Sequence, residues 1–157
     1  MSILPSPIIG FYLEAFTDHK KRYLKDILNF SYEELEYTHD YIQWLFPLKE
    51  ASKFNEDAPL LTNDNICNFN KDEILQDNLR KSFNMMYKFY MTTSDWLTEK
   101  NHNFMRISRI LESCRILGLQ KESELFFSNL EVFYRDPDLQ EIIGSVTFSF
   151  WKKAAGK

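Results

Sequence analysis

The sequence has little of what builds disulfide-stapled, all-β or membrane-spanning proteins. Its 157 residues include two cysteines, Cys67 and Cys114. Two thiols make no disulfide framework and, by themselves, no four-ligand zinc site. Both lie among apolar neighbours at helical spacing and read as buried, reduced thiols. Four Gly and five Pro are too few for an all-β chain with many tight turns. The uncharged stretch Ile142 to Trp151 is interrupted by two Ser, a Thr and a Gly, and it has only about half the length a bilayer requires. Met1 to Pro7 carries no basic residue and a short apolar run broken by prolines, so no signal peptide is expected. These absences point to a soluble, cytoplasmic protein without a membrane span. Charge of one sign is also scarce. The net charge of −4 argues against a nucleic-acid partner, which calls for a basic face. His19, Lys20, Lys21, Arg22 and Lys25 cluster, but Asp18 and Asp26 interrupt them, and the group reads as a solvated helix face.

Catalytic signatures are missing too. The chain has no Gly-x-Ser-x-Gly, no phosphate-cradling glycine loop, no Cys-x-x-Cys and no His-Glu-x-x-His. No catalytic residue, metal or cofactor is assigned, and a binding role is favoured over a chemical one.

What the chain does have is aromatic rings and helical periodicity. Fourteen Phe, eight Tyr and three Trp predict a core of large rings whose Tyr and Trp tips need hydrogen-bond partners. The length fits a single domain, 1–157. The fold class is all-α, a compact irregular bundle of about six or seven helices. Ser2 to Thr17 reads as a loop with a helical turn around Phe11, Tyr12, Ala15 and Phe16. Thr17 or Asp18 caps a helix through Phe30, with Tyr23, Leu24, Ile27 and Leu28 on one face. Ser31-Tyr-Glu-Glu34 is a capping box. It opens a helix ended by Pro47, with Leu35, Ile42, Leu45 and Phe46 as its stripe. Pro47 to Leu61 is a loop of a length that is often functional. Thr62 or Asn63 caps a short helix through Phe69. A long helix follows from Lys71 to about Met91, through Ile74, Leu79, Phe83, Met86 and Tyr90. Thr93 to Lys100 connects it to a helix capped by Asn101 or Asn103 and ending near Leu117, with Gly118 at the left-handed position beyond. Another helix runs from about Gln120 to Tyr134 through Leu125, Phe126, Leu130 and Phe133. Asp136-Pro137 opens the last helix, to about Lys153. Val146, Phe148 and Phe150 alternate as a strand would, but a lone strand has no partner, so helix is favoured.

The segment Leu35-Glu-Tyr-Thr-His-Asp-Tyr-Ile-Gln-Trp-Leu-Phe-Pro-Leu48 interleaves polar and aromatic residues with the apolar stripe. It resembles the conserved region of the opioid growth factor receptor family, whose hallmark is Tyr-Ile-Gln-Trp-Leu-Phe-Pro. Asn55-Glu-Asp-Ala-Pro-Leu-Leu61, Phe89-Tyr90, and His102-Asn-Phe-Met-Arg-Ile-Ser-Arg-Ile-Leu111 with Leu117-Gly-Leu119 are similar to the family's further signatures, in the same order. The resemblance covers about Phe11 to Phe133. It implies an all-helical domain with receptor activity towards a small enkephalin peptide. It also implies an association with membranes and, for animal members, with the nuclear envelope.

The candidate site residues come from these segments. Trp44 and Gln43 read either as a packed ring and an amide satisfying the Pro47 to Leu61 loop, or as the floor and grip of a peptide groove. Tyr41 belongs to the same stretch. An enkephalin-type peptide carries an N-terminal amine and two aromatic rings, so its site needs a carboxylate beside an apolar slot. Glu36 and Asp40, one helical turn apart, are the candidates. Glu36-x-x-His39 and Glu99-x-x-His102 support an alternative, a metal-dependent enzyme, because that spacing on a helix aligns carboxylate and imidazole. Otherwise His39 and His102 belong to a polar cluster near Arg106 and Arg109. These arginines, three apart, suit either a bound anion or acidic partners within the protein, such as Glu36 and Asp40. A third reading is a structural or oligomerising scaffold with an apolar patch near Phe148, Phe150 and Trp151. The favoured partner is a peptide or protein.

Overall fold

Most helices in this chain begin where a side chain takes up a backbone N–H that no helical carbonyl reaches. A computed structural model describes residues 5–157, and the described residues hold ten helices and no strand. Ser6 Oγ accepts from Ile9 N at 3.3 Å and starts α1 (Pro7–Tyr12). Asp26 accepts from Tyr23 N at 2.7 Å ahead of α2 (Leu24–Leu28). The Ser31–Glu34 capping box opens α3 (Tyr32–Tyr37), which α4 (Ile42–Leu45) follows. Thr62 and Asn65 cap each other's backbone at 3.1 Å at the start of α5 (Asn63–Lys71). Asp72 accepts from Ile74 N and Leu75 N and starts α6 (Glu73–Thr92). Asn101 Oδ1 takes Asn103 N at 2.9 Å as α7 (Asn103–Ile116) begins. Gly118, at φ 99°, ends it, and α8 (Gln120–Tyr134) follows. Asp136 caps α9 (Pro137–Ile143), and α10 (Ser145–Ala154) is last. Six of these helices have seven residues or more, in line with the expected six or seven.

Four expectations are corrected. The Ser2–Thr17 loop begins outside the described residues, but Pro7–Tyr12 is a helix, α1. No helix runs from Thr17 to Phe30. Asp18 captures the backbone N–H groups of Lys20 and Arg22, Lys21 turns to φ 60°, and only Leu24–Leu28 is helical. The hallmark helix is broken. Thr38 is extended (φ −90°, ψ 127°), and Tyr41 Oη donates to the Leu35 carbonyl of the last α3 turn at 2.6 Å. The last helix is split at Gly144 (φ 82°, ψ 151°), a backbone state open to glycine.

The chain forms two compact units, Met1–Ser82 and Phe83–Lys157, with α6 running through the boundary. In the first, Tyr12 is the staple. Its ring meets Phe11 and Phe69 edge-on at 5.7 and 5.2 Å. Its hydroxyl donates to the Leu45 carbonyl, and its own carbonyl accepts from Asn78 Nδ2 at 2.7 Å. This one residue thereby ties α1 to α4, α5 and α6. In the second unit, Trp96 fastens the connector after α6 by donating to the carbonyls of Thr93 and Tyr90. Trp151 of α10 donates to the Phe104 carbonyl of α7 at 2.9 Å, and Ser123 of α8 donates to the Leu111 carbonyl at 2.8 Å. The Tyr and Trp tips thus find the partners that buried rings require.

Cys114 is buried as expected, and Cys67 is exposed, contrary to expectation. On α5 the buried residues are Asn65 and Phe69, and Cys67 lies halfway between them on the opposite face. Ile74 and Leu125 are likewise exposed, while their neighbours Leu75 and Phe126 enter the cores. Of the expected apolar patch, Trp151 is fully buried, Phe148 lies half-buried on the Tyr134 ring at 4.0 Å, and Phe150 is exposed. Among the described residues, no helix is long and apolar enough to cross a membrane.

Candidate functional site

The hallmark segment folds inward. Residues Tyr41 to Pro47 are all buried. Tyr41 packs edge-on against Phe30 at 5.6 Å, and Trp44 leans on Phe11 at 5.3 Å. Gln43 Oε1 accepts from Asn55 Nδ2 at 3.3 Å, and the same amide donates to the Asp40 carbonyl at 3.1 Å. Asn55 Oδ1 takes Asp57 N, so a side chain of α4 organises the Pro47–Leu61 loop through one asparagine.

Trp44 Nε1 donates to His19 Nδ1 at 3.0 Å. An indole nitrogen can only donate, so His19 Nδ1 is the bare nitrogen of the ring. The N–H then lies on Nε2, which faces Asp40 Oδ2 at 3.4 Å. Asp40 Oδ1 also takes Arg22 Nη1 at 2.9 Å, and Arg22 Nε reaches Asp18 Oδ2 at 2.7 Å. The line Asp18–Arg22–Asp40–His19–Trp44 matches a donor to an acceptor at every step, and charge alternates over its first three members. Sequence reasoning took His19 and Arg22 for a solvated helix face. The missed signal was Asp18 itself, a turn-forming residue directly ahead of the basic run.

The other candidates separate. Glu36 is half-buried on α3, whereas Asp40 lies past the helix end, so the two do not share a helical face. His39 is exposed in the same break, and Glu99 precedes α7 rather than riding on it. The one-face alignment on which a Glu-x-x-His metal pair depends is therefore not formed by either pair. Among the described residues, no three His, Cys, Asp or Glu side chains are grouped to hold a metal ion. His102, exposed, sits at the N-cap of α7. One turn inside, Arg106 is buried with Nη1 3.4 Å from Asn103 Oδ1, which also accepts from Tyr90 Oη at 2.8 Å. Arg109 is half-buried on the same helix.

A second feature was not foreseen. Between α7 and α10 lies an open groove of about 600 Å³, lined by Phe104, Met105, Phe150 and Ala154 and by Glu112, Arg115 and Lys153. Met105 and Phe150 are 61% and 60% exposed, which is unusual for large apolar side chains meeting in one concavity. Arg115 Nε donates to the Ala154 carbonyl at 2.8 Å, joining the two walls. Deeper in α7, burial among apolar neighbours, with a smaller contribution from Glu122, pushes the Cys114 thiol far above its ordinary range.

The family described as "Opioid growth factor receptor (OGFr) conserved region" matches residues 9–141. The chain is 34% identical over 118 residues to opioid growth factor receptor-like protein 1 of Mus musculus, covering 62% of this chain and 25% of that protein. It is 35% identical over 117 residues to the protein of the same name from Xenopus tropicalis, covering 62% and 23%. It is 32% identical over 119 residues to opioid growth factor receptor of Homo sapiens, covering 62% and 17%. No solved structure matches it. The matched part therefore spans a quarter or less of each of these relatives. With nearly the whole hallmark-bearing fold inside the matched residues, the chain belongs to the opioid growth factor receptor conserved-region family.

Proposed function

We propose that this chain is a peptide- or protein-binding module of receptor type, acting in the cytoplasm. The observation that carries the reading is the α7–α10 groove. It is concave and of ligand size, and it exposes two large apolar side chains beside fixed charges. The names of its relatives, opioid growth factor receptor and its like, support the same class. The nine hallmark and signature residues enter the proposal in two ways. Tyr41, Gln43 and Trp44 hold the first unit's frame, and Arg106 braces the start of α7 in the second. Glu36, His39 and Asp40 in the first unit, and His102 and Arg109 in the second, lie outside the groove's lining and are proposed as polar contacts on each unit's own surface.

Selection of a random peptide library on the immobilised full chain tests this. The expected result is a consensus whose synthetic peptide binds saturably in calorimetry and weakens about tenfold in Phe150→Ala, the loss of roughly one buried ring's contribution. Alanine variants of His39 and His102, both exposed, extend the test to the signature residues. No consensus, or a consensus indifferent to Phe150→Ala and Met105→Ser alike, overturns the reading.

A further inference from the structure

We infer that the α7–α10 groove takes a peptide segment in which an apolar side chain is followed by a carboxylate. This rests on the binding reading above and names its ligand. The groove joins an apolar part to a charged part. Phe104, Met105 and Phe150 make the apolar part, while Arg115 and Lys153 bring two positive charges towards the C-terminal ends of α7 and α10. Arg115 is held in place by its Nε bond to the Ala154 carbonyl. That bond leaves both Nη groups of a planar fork for a carboxylate, which a guanidinium receives in bidentate fashion. It also occupies a carbonyl at the end of α10 whose partial negative charge would otherwise repel an anion. Lys153, exposed on the facing helix, supplies the second cation.

Glu112 lines the same groove, one turn before Arg115. Among the described residues, it forms no ion pair with Arg115 or Lys153. Two cations against one carboxylate leave the groove with a single net positive charge. That balance suits a monoanionic carboxylate. It disfavours a phosphate, whose second charge Glu112 would repel.

The test uses full chain carrying methyl-labelled methionine and three probes: N-acetyl-Leu-Phe as the free acid, its C-terminal amide, and N-acetyl-Leu-Phe-Asp-amide. Met105 reports on the groove, while Met85, Met86 and Met91 lie outside its lining and serve as controls. The carboxylate probes are expected to shift the Met105 methyl saturably, with affinity about tenfold above the amide, the step expected of one charge-assisted contact. Preference for the free acid identifies a chain terminus as the natural source, and preference for the Asp probe an internal acidic residue. Lys153→Gln and Arg115→Gln should each erase most of the difference, and Glu112→Gln should tighten binding. Lys153 is on the surface, so its variant answers even where Arg115→Gln loosens α10. Equal affinity for all three probes, with Met105 still shifting, refutes the carboxylate inference and leaves the binding reading standing. Failure of every probe to move Met105 at millimolar concentration overturns both.

Discussion

Replacing Asp18 by alanine should cost more stability than any other single surface-loop change in the first unit. The carboxylate is fully buried, with 0% side-chain exposure, and it accepts three hydrogen bonds. Two come from the backbone N–H groups of Lys20 and Arg22, both at 2.9 Å to Oδ1, and the third from Arg22 Nε at 2.7 Å to Oδ2. Each lost backbone bond is worth about 1 kcal/mol and a charge-assisted bond about 1.5–3 kcal/mol. Arg22 keeps Asp40 as a partner at 2.9 Å and part of its side chain reaches water, so the lower end applies to the pair. The sum is a destabilisation of about 3.5 kcal/mol. Asp18→Asn separates the contributions. Its amide oxygen serves both backbone donors, but its NH2 faces Arg22 Nε, so only the charged contact is lost, at about 1.5 kcal/mol. Urea unfolding followed by tryptophan fluorescence and by far-ultraviolet circular dichroism measures both variants. Coincident curves with unchanged slope are needed for the comparison, because the chain has two compact units. A loss below about 1 kcal/mol in Asp18→Ala would refute the claim that this carboxylate organises the loop.

Gly144→Ala meets no atom within 4 Å of the new Cβ, so its cost is purely the backbone at φ 82°. A loss of about 1–3 kcal/mol in thermal unfolding is expected, and a neutral variant would show that the α9–α10 break can relax. Gln43→Ala removes the acceptor for Asn55 and should speed tryptic cleavage at the exposed Lys49 and Lys53 several-fold. An unchanged rate would mean that the loop holds without α4. In the native chain, an aromatic disulfide reagent should titrate the exposed Cys67 quickly and Cys114 only after denaturant is added. The raised Cys114 thiol also sets a sign with pH. Its contribution is complete below the ordinary thiol value. It is lost as pH rises above that value, because the unfolded thiol ionises while the folded one stays neutral. Cys114→Ala should therefore lose less stability than the parent between neutral and strongly alkaline pH, and an equal loss would contradict the burial.

Membership of the family and the break-up of its hallmark helix meet in residues Thr38–Tyr41. The family signature places His39 and Asp40 inside a run that reads as continuous helix. The structure turns those two residues into a joint. Asp40 there meets Arg22 and His19, which approach from the loop after α1. The polar letters of the hallmark therefore act first on the protein's own loops. Gln43 holds the loop that follows α4, and Trp44 holds the loop that precedes α2.

The sequence by itself determined where several helices start and which class of fold they make. Ser31, Thr62, Asp72 and Asp136 cap within two or three residues of themselves, so their effect is written locally. The long stripe of α7 reaches core positions by period alone, as do Phe126 and Leu130 of α8. Gly144 was not read as a break, because the apolar run around it reads as one continuous helix. Tertiary structure decided the rest, because the deciding partners lie far along the chain. Tyr12 reaches Leu45, and Trp44 reaches back to His19. The groove arises only when α10 returns to lie along α7 and leaves Met105 and Phe150 uncovered. Periodicity marks such residues as apolar, but whether a neighbour covers them depends on how the helices pack.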